Sequence, residues 1–273
     1  MTSTDLQLNN VEEAFTRQSA VYDEYEKENP TLKWMRKQVR KHTLSFLKPG
    51  DKMLELNCGT GIDAIFFAQK DIFVHCIDNS KGMIEQIKKK VYDNNLSNKI
   101  SFQQCSYTEL NEIKNTKFDL IFSNFGGLNC LSDLRDATRF FPTLLKDKGK
   151  VCLVIMPPVC PWELVKVFSA DFNFAFRRLK TTGAPANIEG IHFTTYYFNS
   201  KDVVKALGRN FELVKTEGMA VFSPIPQMEK FPKKFPRLTK FLHRLDESLS
   251  GYFPFNRIGD HLIVTAQYSS NKL

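Results

Sequence analysis

The sequence predicts an α/β fold built on a mostly parallel sheet, and three observations carry that prediction. Five short apolar runs follow one another: MLEL at 53–56, IFVHCI at 72–77, ISFQQ at 100–104, FDLIFS at 118–123 and KVCLVIM at 150–156. Segments of helix length separate most of them, so each strand reaches the next by a crossover and the pairing is parallel. The first run ends in a glycine turn, Cys58-Gly59-Thr60-Gly61, where a strand passes into a helix. With 273 residues, 42% of them apolar and 24 of them Phe, the chain can bury a substantial core.

Before the first strand, Val11, Ala14, Phe15, Val21, Tyr22 and Tyr25 recur at three- and four-residue steps, which marks an amphipathic helix ended by Asn29-Pro30. A second helix spans about 31–47 and stops at Lys48-Pro49-Gly50. Helices between the strands are expected at 61–70, 80–95 and 132–146, the second opened by Ser80 as N-cap. Beyond Met156 a Pro-containing segment, MPPVCPW, leads into an aromatic stretch to Phe198 whose FTTYYF run predicts a strand. A short helix at 201–209 follows, then strands at 211–222 and 261–268 flanking a basic, Pro- and Phe-containing segment at 223–259. The segments 157–198 and 223–259 are expected to embellish one sheet.

No stretch approaches the roughly 20 apolar residues of a membrane-spanning helix, and the opening MTSTDLQLNN is polar where a signal peptide is apolar. A cytoplasmic protein is expected. The six cysteines, Cys58, Cys76, Cys105, Cys130, Cys152 and Cys160, lack metal-ligand spacing, so neither a disulfide nor a zinc site is predicted. The net charge of +8 suits an anionic partner such as nucleic acid or a membrane surface, and it also serves plain solubility.

The segment Glu55-Leu56-Asn57-Cys58-Gly59-Thr60-Gly61 holds the most chemistry. In open α/β sheets ligands bind at the C-terminal ends of the strands, and a helix start there presents free N–H groups. Gly59-x-Gly61-x-x-Ala64, with Asp78 17 residues after Gly61, also fits a dinucleotide turn. Charge separates the two ligands. A pyrophosphate wants positive potential, whereas the ammonium and sulfonium of S-adenosylmethionine favour a carboxylate such as Glu55.

Glu55 to Gly61 resembles motif I of class I methyltransferases, an acidic residue followed by alternating glycines, with Asn57 standing at the first glycine. Asn tolerates the left-handed backbone region better than other side chains. The resemblance covers about residues 50–156 well and is similar to small-molecule methyltransferases of the ubiquinone/menaquinone and methyltransferase type 11 sort. It implies a Rossmann-like seven-stranded sheet, mostly parallel, with the last strand antiparallel between the fifth and sixth. It also implies an N-terminal helical lid at 1–49 on a methyltransferase domain at 50–273, with Phe15, Tyr22, Tyr25 and Trp34 offering the lid an apolar face or simply packing. The implied cofactor is S-adenosylmethionine, released as S-adenosylhomocysteine. Its expected contacts are Glu55, Asn57, Gly59, Gly61, Asp78 for the ribose hydroxyls, Asn79, Ser106 near the adenine, and Asn124 beside the acceptor cleft. Ser123-Asn124-Phe125-Gly126-Gly127 departs from the signature of exocyclic-amine methylation, which counts against DNA adenine as acceptor.

Methyl transfer is an in-line displacement in which positioning supplies much of the rate, and an oxygen acceptor adds the need for a base. His192, in the aromatic run IHFTTYYF, is the candidate base, with Tyr196 and Tyr197 to orient the acceptor; His75 and His261 are expected to be structural. The aromatics of 162–198 predict a hydrophobic acceptor pocket or ordinary core. From 230 to 244 six Lys/Arg and no acid are interleaved with Phe, and Leu238, Phe241, Leu242, Leu245 and Leu249 share one helix face. That segment either lies on an anionic membrane or packs Leu and Phe on the sheet. The function these features predict is methylation of a small, hydrophobic or aromatic acceptor. RNA or protein modification, cofactor binding without catalysis, and dinucleotide oxidoreduction are the alternatives.

Overall fold

A computed structural model describes residues 3–114 and 116–270 of the chain. Among the described residues nine strands are seen: β1 Lys52–Leu56, β2 Phe73–Asp78, β3 Ile100–Gln104, β4 Phe118–Ser123, β5 Leu145–Ile155, β6 Ala184–Ile188, β7 Ile191–Thr195, β8 Phe211–Met219 and β9 His261–Tyr268. Seven form one sheet in the order β3-β2-β1-β4-β5-β9-β8. The first five pair in parallel, while β9 runs antiparallel between β5 and β8. The parallel part is what the alternating apolar runs predict, and the whole is the Rossmann-like seven-stranded sheet that the methyltransferase resemblance implies.

Both faces of the sheet are covered, as a parallel sheet requires. Alternation along the central strands sends Leu54, Leu56, Ile121 and Leu153 into one apolar cluster and Met53, Phe122, Cys152 and Val154 into the other. The second face is covered by α3 (Pro30–Leu44), which contributes Met35 and Val39, and by α4 (Ile62–Ala68), which contributes Phe67. Asn29 caps α3 by accepting from the Thr31 and Leu32 amides, and Ser80 caps α5 (Lys81–Asp93) by accepting from Met83.

Several boundaries differ from the expected ones. The first predicted helix is two, α1 Ser3–Gln18 and α2 Tyr22–Glu28, broken by a turn at 19–21. The helix predicted at 132–146 is a pair of single turns, α6 Arg135–Thr138 and α7 Phe141–Leu144, because Pro142 can only stand near a helix start. Leu145 already belongs to β5.

The FTTYYF run leaves its strand after Thr195. Tyr196 donates its N–H to the Asn129 carbonyl and accepts from the Asn129 side chain instead. β7 pairs with β6 in a separate hairpin, turned by Glu189 and Gly190, both at positive φ. The hairpin supports α1: Phe193 packs on Phe15, and Gln7 bonds the Thr194 backbone through both its amide atoms. The rest of 157–198 is short helical turns, including α8 Pro161–Leu164 and α9 Phe172–Ala175. After α10 Ser200–Leu207 and β8 come α11 Lys230–Lys234 and α12 Pro236–Leu249. Among the described residues no helix is long and apolar enough to cross a membrane.

Candidate active site

The strand order reverses between β1 and β4, and a crevice opens at their C-terminal ends, where such sheets bind ligands. It encloses about 880 Å³ when the open space at its mouth is counted. Its floor is the turn after β1. Asn57 sits in the left-handed region at φ 45°, with Gly59 and Gly61 at 55° and 80°. Asn57 Oδ1 accepts from the Ser123 hydroxyl at 2.7 Å, and its Nδ2 donates to the Asn124 carbonyl at 3.1 Å. The residue standing at the first glycine therefore ties the loop after β1 to the loop after β4. Gly127 makes room for it, since a Cβ there would run into the Asn57 amide.

Asp78 ends β2. Its Oδ2 accepts from the Gly59 amide and its Oδ1 from the Ser80 amide, each at 2.9 Å. Burial raises its carboxyl to about 6 against these amides, which favour the charged form. Each oxygen retains acceptor capacity toward the crevice. Glu55 is buried at the base of the turn, and burial together with nearby Asp63 pushes its carboxyl well up.

Of the residues expected to hold cofactor, Glu55, Asn57, Gly59, Asp78, Asn79, Ser106 and Asn124 line the crevice. Gly61 does not. It opens α4 and packs against Ile87, where a Cβ would come within 2.5 Å of the Ile87 side chain. Ser106 Oγ shares a hydrogen bond with the Thr108 hydroxyl at 2.7 Å and accepts from the Thr108 amide at 3.2 Å.

The acceptor-side expectations fall elsewhere. His192 lies exposed on the hairpin, with Nε2 accepting from Asn187 at 2.9 Å. Tyr196 is held by Asn129, and the Tyr197 ring lies under the Arg178 guanidinium. None of the three lines the crevice, because the chain turns away at Asn129 and places the hairpin behind α1. The aromatics of 162–198 do not gather into a pocket either. Phe168, Phe172 and Phe176 are exposed, while Phe193 packs under α1. Leu8, Val11, Glu12 and Phe15 of α1 and Tyr22 of α2 also line the crevice.

A charged cluster that was not foreseen braces the crevice. Asp63, in the first turn of α4, is buried and ion-paired with Arg36 and Arg40 of α3; Asn124 Nδ2 also donates to it at 2.8 Å. Burial alone would raise Asp63, but the two arginines outweigh it and hold the carboxyl low. Arg36 also pairs with Glu26 at 2.6 Å and lies over the Phe125 ring, while its buried Nε finds no partner among the described residues. The signal was available in Arg36 and Arg40, four apart on one helix, and in an acid just after the glycine turn. Asp23 of α2 accepts from Thr60 at 2.5 Å and pairs with Lys90 of α5; Thr16 meets Ser80 at 2.9 Å. The N-terminal helices are thereby latched across the crevice.

Behind Phe125, His261 meets its ring edge-on and holds Asp260 at 3.0 Å. Cys160, Glu163 and Asp260 converge as three buried ligand types would, yet Arg178 donates to both carboxylates at 2.7 Å and supplies the positive charge. This cluster bolts the 157–198 segment to the start of β9.

Residues 53–149 match the family model described as a methyltransferase domain. An uncharacterized protein of Methanocaldococcus jannaschii is 25% identical over 241 residues, covering 85% of this chain and 89% of that protein. Among solved structures, the CcbJ methyltransferase of Streptomyces caelestis shares the fold with a TM-score of 0.62 at 14% identity, over 93% of this chain and 96% of that one. The 1,6-didemethyltoxoflavin-N1-methyltransferase of Burkholderia thailandensis, solved with 1,6-didemethyltoxoflavin and S-adenosylhomocysteine, gives a TM-score of 0.62 at 12% identity, over 99% and 92%.

Proposed function

We propose that this class I S-adenosylmethionine-dependent methyltransferase passes its methyl group to a small apolar acceptor lying against α1. One observation carries the acceptor class: α1 lines the crevice with Leu8, Val11 and Phe15 beside one acid, Glu12, and Tyr22 and Phe125 line it as well. The Burkholderia neighbour, which has this fold, holds a small molecule together with S-adenosylhomocysteine.

The crevice suits the cofactor chemically. Asp78 is our candidate for the two ribose hydroxyls, since both of its oxygens are fixed by backbone amides and keep free lone pairs. Glu55, pushed toward its neutral form by burial, offers a hydrogen-bonding group at the base of the turn, and the orphaned Arg36 Nε offers a donor for the carboxylate end. Asn57, Gly59, Asn79, Ser106 and Asn124 complete the contacts. Four acids, Glu12, Glu55, Asp63 and Asp78, against one arginine make a poor cradle for a pyrophosphate, so the nicotinamide alternative is disfavoured. The bound cofactor supplies an electrophilic methyl on a sulfonium. The protein's contribution is to hold the acceptor in line and keep water out under the latched helices, which is where positioning earns its rate.

Calorimetric titration with S-adenosylmethionine, S-adenosylhomocysteine and NADH side by side tests the cofactor. Micromolar binding of the first two alone is expected, followed by S-adenosylhomocysteine release in a screen of lipophilic phenols and quinones. Binding of NADH alone would overturn the assignment, and turnover only with RNA or protein would overturn the acceptor class.

A further inference from the structure

Away from the crevice, exposed apolar side chains concentrate in two segments that touch. Along α12, Leu238 and Phe241 lie three residues apart and are exposed, Phe241 at 55%. Thr239 and Asp246 point inward instead, Asp246 accepting from the amides of Val221, Phe222 and Ser223. In the neighbouring segment Phe168 is 91% exposed, and Phe172 and Phe176 are open as well. Trp162 of α8 packs edge-on against Phe231 of α11 at 5.7 Å and joins the two segments. The turn after α12 adds Phe253, 71% exposed.

We propose that this joined face docks on an anionic lipid bilayer. The exposed rings alternate with cations: Lys233 and Lys234 precede Phe235, Arg237 precedes Leu238, and Lys240 precedes Phe241. The acids of 162–180 and 230–249 are engaged by the protein itself. Glu163 holds Arg177 and Arg178, Asp171 caps α9, Asp246 caps the 221–223 backbone, and Glu247 accepts from Trp34 and Gln38. From 230 to 244 the segment therefore presents apolar side chains among six Lys/Arg and no acid. Cores of protein interfaces are depleted of Lys, whereas aromatic and Leu side chains amid Lys/Arg suit the headgroup boundary, with rings entering the acyl region and ammonium groups reaching phosphates. The inference stands on this surface alone, independent of the acceptor.

The test is cosedimentation of the full chain with vesicles of phosphatidylcholine alone or mixed with phosphatidylserine. Partition onto the mixed vesicles, weakened by salt, is expected. Two double variants, Lys233→Glu with Lys234→Glu and Phe168→Ser with Phe241→Ser, should each lose at least tenfold in partition while S-adenosylhomocysteine affinity stays unchanged, which shows that the fold and crevice are intact. Absence of binding to mixed vesicles, wild-type binding by either variant, retention of RNA in place of vesicles, or a dimer dispersed by the serine variant would each overturn it.

Discussion

Replacing Gly127 by alanine would drive a methyl carbon into the Asn57 side chain, 2.6 Å from Oδ1 and nearer still to Cγ. Gly127 begins a 3-10 turn and is not among the positive-φ glycines, so the cost is one of contact rather than of backbone. Overpacking of this kind costs about 1–3 kcal/mol. Asn57→Gly removes the obstacle but strands the buried Ser123 hydroxyl, a loss of about 1–3 kcal/mol. Relief of a left-handed asparagine returns about 1–2 kcal/mol of that. The double variant should therefore be little worse than Asn57→Gly alone, with a coupling of about 1–3 kcal/mol in favour of the pair. Urea unfolding of all four proteins at unchanged m-value reads this directly. Additivity to within about 0.5 kcal/mol would refute the idea that Asn57 and Gly127 are matched across the crevice.

Asp78→Ala should weaken S-adenosylhomocysteine binding by more than tenfold, about 1.4 kcal/mol, in a calorimetric titration. Because the Asp78 carboxyl is raised to about 6, wild-type affinity should hold above that pH and fall below it; a flat profile would remove its carboxylate from the site. Asp63→Ala leaves buried Arg36 with Glu26 alone and should cost about 3 kcal/mol, a fall of about 6–12 °C in Tm; a loss under about 1 kcal/mol would show that the cluster is not bracing the fold. Burial disfavours the charged form of His42, but contacts with Cys152 and Glu217 outweigh it and raise His42 to about 9, while His42 and Lys215 hold Glu217 at about 2. The His42 contribution is complete below pH 6.5 and lost as pH rises through 9; that of Glu217 is complete above 4.5 and lost as pH falls through 2. Tm measured between pH 6.5 and 9 should decline in the wild type and less so in His42→Gln.

The sheet was legible because its strands carry their own signal. FDLIFS, ISFQQ and HLIVTAQY form strands with the expected bounds, and the glycine turn falls between β1 and α4. β6 was missed because Ala184-Pro185-Ala186-Asn187-Ile188 is weakly apolar and is held as a strand by pairing with β7 and by α1. Asp63 escaped notice for a related reason: its partners lie 23 and 27 residues earlier in the chain, and only tertiary packing brings them together. His192 drew attention through its aromatic neighbours, yet those neighbours serve the packing of α1, and local composition says nothing of which face a hairpin turns outward.

The chain has two tryptophans, and both are set against the segment from 230 to 249. Trp162 meets Phe231, while Trp34 of α3 stacks on His243 of α12 at 4.1 Å and donates to Glu247. Intrinsic emission therefore reports on this segment rather than on the sheet core. Trp34 sits two residues before Arg36, so the same fluorophore spans the distance between the cationic helix and the crevice. Stopped-flow fluorescence can thus follow both ends of the molecule without a label, since any change in the Trp34–His243 stack alters the emission of Trp34.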